Sequence, residues 1–225
     1  MNYSLINLPF VNNISNLFTI DTLTKIMVLF PILVFSVSIH EFSHGYTAYR
    51  FGDTTAKDEG RLTMNPVAHL SLYGSFIMPL ITYIFFQVPF GAAKPVPINP
   101  NNLRHPKTDM VWVALAGPAS NLIVAVVAAQ TLNLVADFGI FGLNGALSYL
   151  VIINVALFCF NLIPIPPLDG SRILGAALPW SALQYYRKIE QYGVIIVLIL
   201  LATGRLSPII YPVFNFVIKL VSFGA

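Results

Sequence analysis

From Ile26 to Ile39 the chain carries no charged side chain, and further apolar stretches recur over about Leu70–Phe90, Met110–Ala136, Ala146–Ile163, Ile189–Thr203 and Pro208–Val221. Segments this long and this apolar are at home in hydrocarbon only if every backbone N–H and C=O is bonded within the protein. Helices do this within one segment, whereas closed barrels show a period-two alternation that is absent here. The composition agrees: 56% of the 225 residues are hydrophobic and 9% are charged, against about a quarter charged in soluble proteins. The expected fold is an all-α polytopic membrane protein of about five to six transmembrane helices.

Prolines and glycines refine this picture. The first span, about Leu23 to Tyr49, contains Pro31, which removes one backbone donor and predicts a kink. The segment 70–90 is interrupted by Gly74, Pro79 and Pro89, which predicts a re-entrant or broken element. The run Gly91-Ala-Ala-Lys-Pro-Val-Pro-Ile-Asn-Pro100 is too rich in proline for a helix and reads as extended backbone in a loop. Residues 1–21 lack a basic n-region and an A-x-A site, so a short interfacial segment is expected rather than a signal peptide. No soluble domain interrupts the chain. It reads as one domain over 1–225, with a core at about 23–180 and C-terminal helices at about 189–221.

Charge sets the orientation. Arg50, Lys57 and Arg61 fall in one loop and Lys94, Arg104 and Lys107 in the next, while 137–146 holds only Asp137. The positive-inside rule puts both basic loops in the cytoplasm, so 70–90 enters and leaves on one side. The net charge of +3 comes mostly from these loops, and no nucleic-acid partner is expected. The single Cys159 excludes an internal disulfide and any zinc site built on several cysteines.

Within the first span lies His40-Glu41-Phe42-Ser43-His44. Histidines four apart share one helical face and can bind one Zn²⁺, with the intervening glutamate within reach of a water at the metal as general base. Ionisable groups at membrane depth are costly and point to function. A hydrolytic zinc needs a third protein ligand. His69 and His105 lie in polar loops, Glu190 begins a later helix, and Asp169 remains, after three prolines and before Gly170. The other reading of Asp169 is a helix-break residue capping the helix that follows. Parity supports the metal: His44 and Asp169 reach the same depth only if 70–90 or 110–136 fails to cross.

His40-Glu-Phe-Ser-His44 and Asn161-Leu-Ile-Pro-Ile-Pro-Pro-Leu-Asp-Gly170 together resemble the signature pair of the site-2 protease family of intramembrane zinc metalloproteases. Gly60-Arg-Leu-Thr-Met-Asn-Pro66, Ala93-Lys-Pro-Val-Pro-Ile-Asn-Pro100 and Ala116-Gly-Pro-Ala-Ser-Asn121 are similar to that family as well, most of all to its compact branch without PDZ or CBS domains. The resemblance covers roughly residues 25–180. It implies one Zn²⁺ per chain on His40, His44 and Asp169, with Glu41 activating the water. Asn161 matches the family's asparagine upstream of the aspartate, a donor to the developing oxyanion; its alternative role is a helix-packing amide. Asn121 reads more simply as a close-packing contact. The 61–65 and 94–98 stretches offer edges to which a substrate strand can add.

The expected activity is hydrolysis of peptide bonds in or beside a transmembrane segment of a membrane-protein substrate. The expected location is a multi-pass position in a prokaryotic plasma membrane, with the site near the cytoplasmic side. The alternative is a metal-ion or proton transporter relaying through the same His, Glu and Asp; such proteins commonly show internal repeats, and none is found here. The physiological substrate and the oligomeric state are not written in the sequence.

Overall fold

A computed structural model describes residues 19–86, 90–140 and 142–222. The interfacial segment expected for 1–21 lies, up to residue 18, outside these residues, as does Pro89. Helix α1 spans Ile20–Arg50 and runs through Pro31 as one helix. It stops at Gly52, whose φ of 111° a side chain would resist, and Phe51 N–H donates to the carbonyls of Thr47 and Ala48. A one-turn helix α2, Thr55–Asp58, and a 3-10 turn, Pro66–His69, follow.

The segment expected to be re-entrant is short and folds back on itself. A π-turn over Leu72–Ile77 continues into α3, Met78–Phe86, roughly 20 Å of helix at 1.5 Å per residue, against about 30 Å of hydrocarbon. The returning chain lies beside it: Phe90 N–H donates to the Thr82 hydroxyl at 2.8 Å, and Ala92 N–H donates to the Gly74 carbonyl at 2.9 Å. A Cβ on Gly74 would sit 2.4 Å from the Ala92 oxygen, so the glycine is what lets the two limbs touch.

Helix α4, Pro106–Val135, starts with proline at its first position, where no intrahelical donor is needed. Helix α5, Leu143–Asn161, returns after a turn built on Gly139 and Gly142, both with positive φ. Short α6, Asp169–Ala177, and α7, Trp180–Glu190, precede α8, Gly193–Ala202, and α9, Ser207–Val221. Among the described residues there is no strand; 90–99 runs without regular secondary structure rather than as a paired edge.

The described residues are all-helical and polytopic, with fewer full spans among them than the expected five to six. Among the described residues three helices are long and apolar enough to cross: Ile26–Arg50, Pro106–Phe138 and Leu143–Asn161. The last two apolar segments, α8 and α9, meet at 84° and count at most as one broken span, giving four. At 10 and 15 residues neither reaches across a bilayer alone.

Helices α1, α4 and α5 pack on one another, and α9 closes the far side of α4 and α5. Ala125, Ala128 and Ala129 of α4 meet Val151, Val155 and Cys159 of α5 and Val217 and Val221 of α9. The small alanines allow backbones to approach where lipid supplies no hydrophobic drive between helices. Leu33, Phe35, Ile123, Val127 and Ile152 are exposed, as expected of side chains that face hydrocarbon.

Candidate metal centre

His40 and His44 lie one turn apart on α1, and the loop 162–168 returns the chain so that Asp169, the first residue of α6, meets them. All three are buried. His40 Nε2 lies 3.1 Å and His44 Nε2 3.2 Å from Asp169 Oδ2, and the two Nε2 atoms are 2.9 Å apart. Donors about 2.0–2.2 Å from a tetrahedral ion stand roughly 3.4 Å from one another, so this trio is close to the size zinc requires. Asp169 Oδ2 is buried and has no hydrogen-bond partner, a costly state for a carboxylate oxygen and the one a cation relieves. The capping alternative for Asp169 is not what forms: the cap residue of α6 is Leu168, with no side-chain cap bond. Among the described residues, this is the group of His, Cys, Asp and Glu side chains arranged to hold a metal.

Each imidazole is held by its other nitrogen. His44 Nδ1–H donates to the Val113 carbonyl at 2.7 Å, and His40 Nδ1–H donates to Asn121 Oδ1 at 2.6 Å. Both partners belong to α4, and both leave Nε2 with its lone pair toward the metal position. The approach of α4 depends on Gly117. A Cβ there would stand 2.3 Å from His44 Nε2 and 2.6 Å from His40 Cε1.

Glu41 points to the proline-rich stretch instead. Its Oε2 accepts a hydrogen bond from the Val96 N–H at 2.8 Å. Arg61 steadies that stretch by donating to the carbonyls of Lys94 and Pro95 at 3.0 and 3.3 Å, and Lys94 N–H donates to the His69 carbonyl. At its far end Asn99 N–H donates to Asp53 Oδ2 at 2.7 Å. Burial alone pushes the Asp53 carboxyl up, but hydrogen bonds from Thr55, Asn99 and Asn102 outweigh it and hold the group below the usual carboxylate range. The basic loops are thus tied into one scaffold over the end of α1 that carries the site.

Asn161 donates its amide to the Leu157 carbonyl one turn back at 2.9 Å. Residues absent from the sequence argument complete the surroundings: Val96 by its backbone, and Ser36 and Asn154 behind Asn121. The available signal was spacing, since Ser36, His40 and His44 repeat every four residues along α1, as do Gly117 and Asn121 along α4.

The chain is similar to known proteins. The family described as Peptidase family M50 matches residues 136–204, the stretch that includes Asp169. "Putative zinc metalloprotease YwhC" of Bacillus subtilis is 38% identical over 190 residues, covering 81% of this chain and 84% of that protein. "Putative zinc metalloprotease Rip2" of Mycolicibacterium smegmatis is 30% identical over 186 residues, covering 80% of this chain and 70% of its own length. "Zinc metalloprotease MJ0392" of Methanocaldococcus jannaschii is 29% identical over 184 residues, covering 80% of this chain and 43% of that protein. No solved structure matches the chain. A buried His, His, Asp trio of zinc dimensions and relatives of this extent lead to one conclusion: the chain belongs to peptidase family M50, the site-2 protease family of zinc metalloproteases.

Proposed function

We propose that this metalloprotease cleaves peptide bonds in or beside transmembrane segments of membrane-protein substrates, working near the cytoplasmic side of a prokaryotic plasma membrane. The observation that carries the reading is the position of the trio: His40 and His44 stand on an apolar, span-length helix, and Asp169 is brought to them from an irregular loop at the end of another. The cytoplasmic placement rests on the two basic loops that border this end.

His40, His44 and Asp169 would hold the ion. Zinc, when bound, supplies Lewis acidity that polarises the scissile carbonyl. Glu41 takes a proton from the attacking water as its oxygen bonds to the carbonyl carbon, then delivers that proton to the amide nitrogen as the C–N bond breaks. Val96 N–H donates to one Glu41 oxygen and restrains the carboxylate, leaving the other oxygen to accept the proton. Asn161 donates to the developing oxyanion by exchanging its bond to the Leu157 carbonyl for one to substrate. Because a helical substrate hides its carbonyls in intrahelical bonds, the segment being cut must unwind locally before it reaches Glu41.

The test measures zinc content of purified, detergent-solubilised protein alongside cleavage of a model transmembrane substrate. Glu41→Gln is expected to keep about one zinc and lose cleavage by about 10²- to 10⁴-fold. His44→Ala and Asp169→Ala are expected to lose both. Cleavage retained by Glu41→Gln refutes the assignment of the base, and cleavage confined to soluble peptides refutes the intramembrane substrate.

A further inference from the structure

Behind His40 lies a closed circuit of buried amides and hydroxyls at positions where lipid-embedded helices can least tolerate unpaired polar groups. Asn121 and Asn154 are each 0% exposed, as is Ser36. Asn121 Nδ2 donates to Asn154 Oδ1 at 2.9 Å and to the Ser36 carbonyl at 3.3 Å. Asn154 Nδ2 donates to the Ser36 hydroxyl and to the Leu150 carbonyl, both at 2.8 Å. Ser36 Oγ in turn donates to the Ile32 carbonyl at 2.8 Å.

The direction of this circuit is fixed by groups that can only accept. The Leu150 carbonyl requires the NH₂ end of Asn154, so Asn154 Oδ1 must face Asn121. The Ser36 carbonyl and Asn154 Oδ1 both require the NH₂ end of Asn121, so Asn121 Oδ1 must face His40. An oxygen there demands that His40 carry its proton on Nδ1. His40 then has a lone pair on Nε2 and nowhere else, in the direction of Asp169.

We infer that Asn121, oriented by Asn154 and Ser36, is a positioning residue that fixes the tautomer and ring angle of His40 and thereby the zinc affinity of the site. His44 receives the same service from a backbone carbonyl, which no mutation of a side chain removes. His40 depends on a side chain three links deep. The circuit also ties α1, α4 and α5 together, but a purely structural role and a positioning role respond differently to substitution. The inference concerns zinc binding and stands whichever peptide bond the enzyme cuts.

The experiment compares Asn121→Leu with Asn121→Asp in solubilised full-length protein, reading zinc affinity by competition with a chromophoric chelator and thermal unfolding of the metal-free form. Leucine removes the acceptor for His40. Aspartate keeps that acceptor but cannot donate to Ser36 or Asn154. Both variants are expected to unfold earlier than wild type. Zinc affinity is expected to fall about 10- to 100-fold for Asn121→Leu and to stay within about threefold of wild type for Asn121→Asp. Wild-type affinity in Asn121→Leu, or equal losses in both, overturns the inference and leaves a helix-packing contact. A measurement on the unaltered, metal-free protein decides independently if the variants fail to fold. In ¹⁵N-histidine spectra the neutral imidazole of His40 is expected to carry its proton on Nδ1, and a neutral Nε2–H tautomer there refutes the proposal.

Discussion

Gly117→Ala adds one methyl group where α4 faces the metal ligands. The new carbon would lie 2.3 Å from His44 Nε2, 2.5 Å from His44 Cε1 and 2.6 Å from His40 Cε1, about 1 Å inside ordinary van der Waals contact. Either α4 retracts or the imidazoles turn. Retraction pulls Asn121 and the Val113 carbonyl away from the histidines they hold, and turning moves both Nε2 atoms off the metal position. Overpacking of a well-filled interior costs about 1–3 kcal/mol. Where relief comes at the ligands, that cost falls on zinc binding, a loss of about 5- to 150-fold at 1.4 kcal/mol per decade. The assay is chelator competition on the purified variant, with thermal unfolding of the metal-free form as companion. Gly145→Ala is the control, since nothing lies within 4 Å of a Cβ there, and its zinc affinity should match wild type. Gly117→Ala with wild-type zinc affinity refutes the reasoning, because α4 would then not be seated against the ligands.

Two further substitutions probe the scaffold. Asp53→Asn removes a buried carboxylate that accepts from Thr55, Asn99 and Asn102 and should destabilise by about 1–3 kcal/mol. Because the folded-state pKa of Asp53 is depressed, its stabilisation is full above the unfolded pKa near 4 and fades as pH falls through the lower folded value. The gap in melting temperature between wild type and Asp53→Asn should therefore be constant above about pH 5 and narrow below about pH 4; a gap that widens on acidification contradicts the assignment. Gly193→Ala would place a carbon 2.1 Å from the Pro166 carbonyl, pressing on the loop that delivers Asp169. It should weaken zinc binding with His40 and His44 untouched, and unchanged affinity would show that the loop yields without moving Asp169.

That His40 and His44 come together with Asp169 was legible in part because helical geometry is local. A spacing of four puts His40 and His44 on one face whatever surrounds them, and Asp169 was the acid left in an apolar, proline-broken setting. That 70–90 is a short, broken element and not a full span was legible from glycine and proline within an apolar run. The span count was not: hydropathy sees apolar length, but not the 84° corner between α8 and α9. Nor was the circuit behind His40, whose members are separated by 33, 85 and 118 residues in the chain. Each of its side chains taken singly is an ordinary polar residue in a helix, and only the packing of three helices gives Asn121 an orientation. The contact from Val96 to Glu41 was hidden for another reason, since a backbone N–H leaves no mark on residue identity.

That last contact has a consequence for how the loop finds its place. Of the three consecutive residues Pro95, Val96 and Pro97, the middle one alone owns an N–H, and that N–H goes to Glu41. Sliding the segment by one position in either direction would set a proline nitrogen, with nothing to donate, opposite the carboxylate. The two prolines thus act as a detent: the loop seats in a single alignment, and misaligned seatings lose the bond outright instead of trading it for a neighbour's. The side chain at 96 is buried and packs beside Gly45, so the alignment rests on the backbone N–H while the side chain fills the space between α1 and the loop.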